Sequence, residues 1–534
     1  MFSEYIIYTL IFLWAIHSLQ KIFYCIYFWQ LKEYRLDRMT GDIKRFAKAL
    51  FPNMAIIPVI VLLLAPLFYK YNAVLIWDNA VLVIFYLLGL YSIFLLIKKG
   101  WNTPKFTKKA IFLCGLSAII LGLCLLAFKN NLFLFITITE LALPLATLLI
   151  VEIFQIPTLL IKKSIYKKAK EKITQSKNLT VIGITGSYGK SSTKEFLYTF
   201  LSKKYKVLKT SGNTNTEIGI AKTIITELKP EHEIFIVEMA AYKKGEIELL
   251  CDIAQPKIGV VTGVNEQHLA LFGSMKNLLM AEGGGELSKS LPKDGTLYVN
   301  GDNKYCLYLY KNFAGQKKIY SLSNKMIDSD IWSDSITVHK DSISFLAINK
   351  LGDLAHFGVN VLGKQNVQNL LGAILIASEL GVNFGDISDA CKDISQKSAG
   401  ATLKKGKHGI NIIDSSYSAN PDGVIADLEY LSIFPGKKVI VMPCLIELGT
   451  KSSEVHEKIG RKMGKVCDLA IITNKDKFKE IEKGFRKTQR YKGKCVLCDK
   501  PQDIYSMITL FCKEGDTVLL EGRIPAKLTK LLTE

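Results

Sequence analysis

Gly186, Gly189, Lys190 and Ser191 sit in residues 185–192 (Thr-Gly-Ser-Tyr-Gly-Lys-Ser-Ser) at the spacing of a phosphate cradle. The glycines let successive backbone N–H groups turn towards an anion, Lys190 can reach terminal phosphates, and the Ser191 hydroxyl can hold Mg²⁺. The first glycine of the commoner G-x-x-x-x-G-K-[ST] pattern falls at Ile184, so this is a T-G-x-x-G-K-S variant. The loop predicts that the chain uses a nucleoside triphosphate.

Such a loop needs a strand before it and a helix after it, and the apolar run 180–184 and residues 193–202 supply both. Further apolar runs also end in polar side chains, as strands of an open parallel sheet do where ligands bind. Residues 234–238 end at Glu238, which could complete a Mg²⁺ shell opposite Lys190, position an attacking group, or cap the next helix. Residues 258–262 lead to His268; a lone histidine is more often packing, but this one follows a strand end in a chain that needs Mg²⁺. Asn213 and Asn215 lie in a polar loop that could touch substrate or be only a turn. Asn366 and Asn369 share one face of a helical first turn, where they could read a purine edge or cap the helix. After Gly400 the alternation restarts, with strands leading to Asp414 and residues 415–421, to Glu447-Leu448-Gly449 and to Glu521-Gly522-Arg523. This predicts a second nucleotide-fold domain.

The 534 residues accommodate several domains, and hydrophobicity divides them unevenly. Five stretches, about 5–29, 54–69, 73–97, 110–128 and 132–161, are long enough to cross a bilayer. Lysines and arginines crowd residues 30–50, 98–109 and 162–172, while the other connections hold one lysine each. The asymmetry predicts a multi-pass protein of the cell membrane, N-terminus outside and the remainder cytoplasmic. The first span lacks a basic lead and a small-residue cleavage site, so it reads as permanent. The net charge of +21 is concentrated beside the spans, which points to anionic lipid and away from nucleic acid. The eleven cysteines read as reduced thiols, Cys495 and Cys498 included, since no second pair completes a zinc site. His17, Asp78 and Glu140, polar residues within spans, are functional candidates.

Seven motifs in order resemble the Mur ligases across residues 178–534: the phosphate loop, Gly212-Asn213-Thr214-Asn215, Glu238 with Gly245-Glu246-Ile247, His268 with Phe272-Gly273-Ser274, Gln365-Asn366 through Asn369, residues 417–421, and Glu447-Leu448-Gly449. Within the family the likeness is greatest to the branch that adds D-alanyl-D-alanine. The resemblance implies an α/β fold, a phosphate-loop central domain (178–397) and a Rossmann-like C-terminal domain (398–534), here preceded by an all-α transmembrane bundle (1–161) and a basic linker (162–177). It implies ATP and Mg²⁺ as cofactors, and Lys190, Glu238 and His268 as catalytic residues. ATP would be bound by Gly186, Ser187, Gly189, Lys190, Ser191, Ser192, Asn366, Asn369 and Asp414, and metal by Ser191, Glu238 and His268. Asn213, Asn215, Tyr417 and Asn420 would bind substrate. A substrate carboxylate would become an acyl phosphate, and an amine would displace the phosphate to form an amide.

The chain also departs from the family's pattern. Gly284 aligns with the lysine that is usually carbamoylated to hold a second Mg²⁺, leaving Glu282 or Glu286 to substitute. Gln365 replaces a histidine, Ala401 an arginine, Ser415 a second aspartate, and Pro443-Cys444 a glycine-aspartate pair. The family's UDP-binding domain has no counterpart, and the five spans stand in its place. The expected partners are therefore ATP, an amino acid or peptide whose acceptor is UDP- or lipid-linked, and membrane lipid. The expected function is a membrane-anchored amide ligase of cell-wall precursor synthesis. Alternatives are a ligase for another polymer, such as poly-γ-glutamate or a pseudomurein-like peptide, and a weakly catalytic nucleotide-binding scaffold.

Overall fold

Strands of four to six almost wholly buried residues, such as Ile-Phe-Ile-Val-Glu at 234–238, form parallel sheets covered on both faces. A computed structural model describes residues 4–32, 34, 36, 74–128, 131–324, 327–416, 419–488 and 493–533, without the side chains at 74, 75, 140 and 141. The expected second span, Tyr417 and the side chain of Glu140 lie outside the described residues.

The chain divides into two units, Met1–Lys163 and Ser164–Glu534. The first contains the helices Glu4–Leu31, Val74–Ile97, Lys108–Ala127 and Leu132–Ile153. Four described stretches, Glu4–Leu31, Ile76–Ile97, Lys108–Ala127 and Ala142–Gln175, are long and apolar enough to cross a membrane. Trp14, Trp77, Phe85 and Ile136 pack between the helices, whereas Tyr5, Leu87, Ile119 and Leu123 are exposed. His17 is buried against the Ser92 hydroxyl, 2.9 Å from Nδ1. The fifth expected span ends its first helix at Ile153, and a second helix, Gln155–Gln175, takes in most of the basic segment. The expected linker is thus largely helical, and its Ala169 and Ile173 are buried in the core of the second unit.

Nine strands form the first sheet of that unit: β1 Thr180–Thr185, β2 Val207–Lys209, β3 Ile234–Glu238, β4 Ile258–Val261, β5 Thr296–Asn300, β6 Gln316–Ser321, β7 Ile331–Val338, β8 Ile343–Asn349 and β9 Leu354–Val359. Their order is β2-β3-β1-β4-β5-β6-β7-β8-β9, parallel as far as β7 and antiparallel beyond. The chain passes to opposite sides of β1, to β3 and then β4, so the switch point of the sheet lies at the carboxyl end of β1. Open α/β sheets place ligands at that point. The second sheet comprises β10 Thr402–Lys405, β11 Asn411–Ser415, β12 Lys438–Met442, β13 Leu469–Ile472, β14 Lys494–Leu497 and β15 Thr517–Glu521. Its order is β10-β11-β15-β12-β13-β14, with only β10 antiparallel.

Candidate active site

The helix Lys190–Leu201 begins directly after Gly189, whose φ of +80° a larger residue would resist. A Cβ at Gly189 would also lie 2.5 Å from Asn369 Oδ1, so the loop admits no side chain there. Lys190 folds back so that Nζ donates to the Gly186 carbonyl.

Two polar groups flank the loop. On one side Glu238, 2% exposed, ends β3. Its Oε2 accepts from Ser191 Oγ at 2.9 Å and Lys194 Nζ at 3.1 Å, while Oε1 accepts from Asn215 Nδ2 at 3.1 Å. On the other side Glu282, 1% exposed, accepts from Ser187 Oγ at 3.2 Å and from His268 Nδ1 at 2.9 Å. Glu447 completes this group from the second sheet's domain, its Oε2 3.7 Å from His268 Nε2. Residues 443–449 are held from beneath: Leu445 N–H donates to His456 Nε2 at 2.9 Å, and His456 Nδ1 lies 2.6 Å from the Ser452 carbonyl. Burial holds the His456 pKa below its usual range, as a ring accepting at Nε2 requires.

Ser191 and Glu238 therefore meet as the sequence leads one to expect, but His268 joins Glu282, a separate group across the loop. Among the described residues no group of three or more His, Cys, Asp or Glu has metal-binding geometry. Gly284 does not face this site: its φ is +85°, and a Cβ would lie 2.4 Å from Val261 Cγ2. Glu286 is occupied elsewhere, accepting from the N–H groups of Gly245 and Glu248 at a helix start. Of the two expected substitutes, the structure brings only Glu282 to the loop. Sequence reasoning missed Lys194, which looks like one more lysine on a helix face.

The other expected residues take mixed positions. Asn213 is exposed, and Asn215 is turned to Glu238. Asn366 and Asn369 are buried beside the loop and linked to each other at 3.4 Å, with Asn366 also bonded to the Leu362 carbonyl. Asp414 pairs with Lys404 at 2.7 Å and accepts from Ser416 Oγ at 2.6 Å. Burial raises its pKa, but these partners outweigh burial and hold the carboxyl below its ordinary value. Asn420 caps the helix Pro421–Leu431 and accepts from Asn265 Nδ2 at 3.0 Å, beside Asp422 at 3.1 Å. That bond and the one from Ala270 N–H to the Glu447 carbonyl, 2.8 Å, join the two domains across the site.

Gln365 Nε2 also crosses the seam, donating to Asp427 Oδ1 at 3.1 Å, and Ser415 Oγ donates to Asp427 Oδ2 at 2.6 Å. The fully buried Glu521 faces the same Asp427. Burial first, then the facing carboxylate, lifts the pKa of Glu521 well above normal, and burial lifts that of Asp427. Raised folded-state values mean stability that is complete below about pH 4 and lost as pH rises through those values. While the folded chain holds one extra proton, the loss is about 1.4 kcal/mol per pH unit. Glu521→Gln should therefore flatten the decline in stability that sets in above about pH 4, measured by denaturant melts of the second unit's signal at a series of pH values.

Family models match this unit in order: the Mur ligase middle domain over residues 184–377 and the Mur ligase glutamate ligase domain over residues 402–524. The chain belongs to the Mur ligase family. Among its relatives in the family is the UDP-N-acetylmuramoyl-tripeptide–D-alanyl-D-alanine ligase of Synechocystis, 31% identical over 53% of this chain and 59% of its own length. The enzyme of the same name from Buchnera aphidicola is 26% identical over 69% of this chain and 77% of its own. The chain thus spans about three fifths of the Synechocystis relative's length. The MurF ligase from Thermotoga maritima, solved in complex with ADP, superposes with a TM-score of 0.60 at 25% identity, over 69% of this chain and 83% of that one. The two-sheet α/β fold is that of the family's solved structures.

Proposed function

We propose that this chain is an ATP-dependent amide ligase of cell-wall precursor synthesis, held at the membrane by its N-terminal unit. One observation carries the reading: a single phosphate loop is flanked by Ser191–Glu238 on one side and Ser187–Glu282–His268 on the other, with Glu447 arriving from the second domain. The ADP complex of the Thermotoga relative supports the nucleotide, and the names of the relatives support a muramoyl tripeptide and D-alanyl-D-alanine as the joined parts.

The order of steps follows from chemistry. A free carboxylate is a poor electrophile, so its oxygen attacks the γ-phosphorus and ADP leaves. The amine then attacks the acyl carbon, phosphate leaves with the C–O bond electrons, and the amine loses a proton. Lys190 would stabilise charge on the transferred phosphoryl group. The Ser191 hydroxyl and the Glu238 and Glu282 carboxylates fit Mg²⁺, which takes oxygen ligands; they would hold it, with the His268 imidazole joining them as the family resemblance implies, and it would neutralise phosphate charge. Asn366 and Asn369, beside Gly189, would serve the nucleotide, and Asn213 the peptide.

Exposed Tyr5, Leu87, Ile119 and Leu123 on long apolar helices support burial in lipid, where such surface costs nothing. The ligase domains would then be cytoplasmic and the acceptor presented at the bilayer. The test is phosphate release by full-length protein in lipid nanodiscs, given D-alanyl-D-alanine with a lipid-linked or a UDP-linked tripeptide. Release needing both peptide parts, and faster with the lipid-linked form, is expected. Equal rates would overturn membrane presentation, and no amine-dependent release would overturn the ligase.

A further inference from the structure

Among the described residues of the second unit Lys194 is the one buried lysine, and the phosphate-loop chemistry does not account for it. It stands one helical turn after Lys190, so its side chain leaves the same face of the helix Lys190–Leu201 as the loop lysine. Its ammonium makes two close contacts. Nζ donates to Glu238 Oε2 at 3.1 Å and to the Gly212 carbonyl at 2.7 Å. The neighbouring Glu195 lies farther off, at 3.8 Å, and is already paired with Lys209 on β2.

A charge buried this deeply costs several kcal/mol in lost hydration, and is tolerated only with an opposite charge and further hydrogen bonds around it. Those partners here lie on two different elements. Glu238 is the carboxylate that meets Ser191, and Gly212 opens the loop that carries Asn213 and Asn215. Asn215 returns to the other oxygen of Glu238. Glu238, Lys194, Gly212 and Asn215 thus close a ring of contacts between the metal-side carboxylate and the asparagine loop.

We infer that Lys194 is a positioning residue that fixes Glu238 towards the loop and makes residues 210–216 rigid with it, so that metal and peptide sites form one unit. The inference rests on the metal role given above to Glu238. In full-length Lys194→Met, the Mg²⁺ concentration that half-saturates the tightening of ADP binding should rise about tenfold, as loss of a second-layer partner does. Metal-free ADP binding should not change. Hydrogen exchange should quicken at residues 210–216 while β4 and β5 keep their protection; a merely structural lysine would loosen the sheet generally. Should the single variant not fold, Lys194→Met combined with Glu238→Gln removes the unpaired charge, and faster exchange at 210–216 is still expected. Wild-type Mg²⁺ response or unchanged exchange in folded Lys194→Met, or unchanged exchange in the double variant, would overturn the inference. Wild-type protein whose ADP binding ignored Mg²⁺ would instead overturn the metal role of Glu238.

Discussion

Lys190→Ala should lower amine-dependent phosphate release roughly 10³-fold, at the upper end of what losing one preorganised charge at a transition state costs. The expectation follows from the loop's construction. Gly189 is fixed by its φ, and a side chain there would meet Asn369, so the loop keeps its shape beside residue 190. The ammonium already points along the loop to the Gly186 carbonyl, so little reordering precedes its use. Lys194 cannot replace it, because its ammonium is held by Glu238 and Gly212. The fold should be untouched, since Lys190 supports no core contact. Comparing melting temperatures with steady-state rates checks this: a large rate loss at unchanged stability is expected, and turnover that ignored Lys190 would contradict the proposed chemistry.

Glu282→Gln should cost roughly 10²-fold in turnover, the range for a carboxylate that orients a catalytic histidine or holds a metal. An amide keeps the shape and the contacts to Ser187 and His268 but removes the charge. A family member relying on a carbamoylated lysine needs carbon dioxide to make its acid, whereas this chain carries a permanent carboxylate. Activity should therefore be the same in degassed and bicarbonate-supplemented buffer, in wild type and variant alike. A bicarbonate requirement would show that another residue is modified and that Glu282 is not the group at that place.

Much of this site was legible in the sequence because the sheet imposes it. Strands that end in a glycine turn, an acid and a histidine loop can bring those ends together only at the carboxyl edge, and β1, β3 and β4 do so. Residues whose role depends on a distant partner were not legible. Lys194 has the spacing of a solvated helix face, and only the fold shows that Glu238 and Gly212 surround it. Asn215 reads from the sequence as a loop residue that could touch substrate or be only a turn, and the fold adds its bond to Glu238. Alignment by motif put Gly284 at the place of the family's modified lysine and left Glu282 and Glu286 as alternatives, because spacing counts residues and cannot see that the chain turns at Gly284 and leaves Glu282 facing His268. The Asp427–Glu521 contact joins residues far apart in the chain, and two acids in separate elements announce nothing until they touch.

Glu447 has a further consequence for how the reaction is timed. It reaches His268 only across the seam between the two domains, on residues braced by His456. With the seam open, nucleotide would still find the phosphate loop, yet the constellation beside His268 would lack one member. Water would then meet a site short of that residue. On the proposed ligase chemistry, the division of the site between two domains would act as a safeguard against futile hydrolysis, tying consumption of the triphosphate to the presence of something to join.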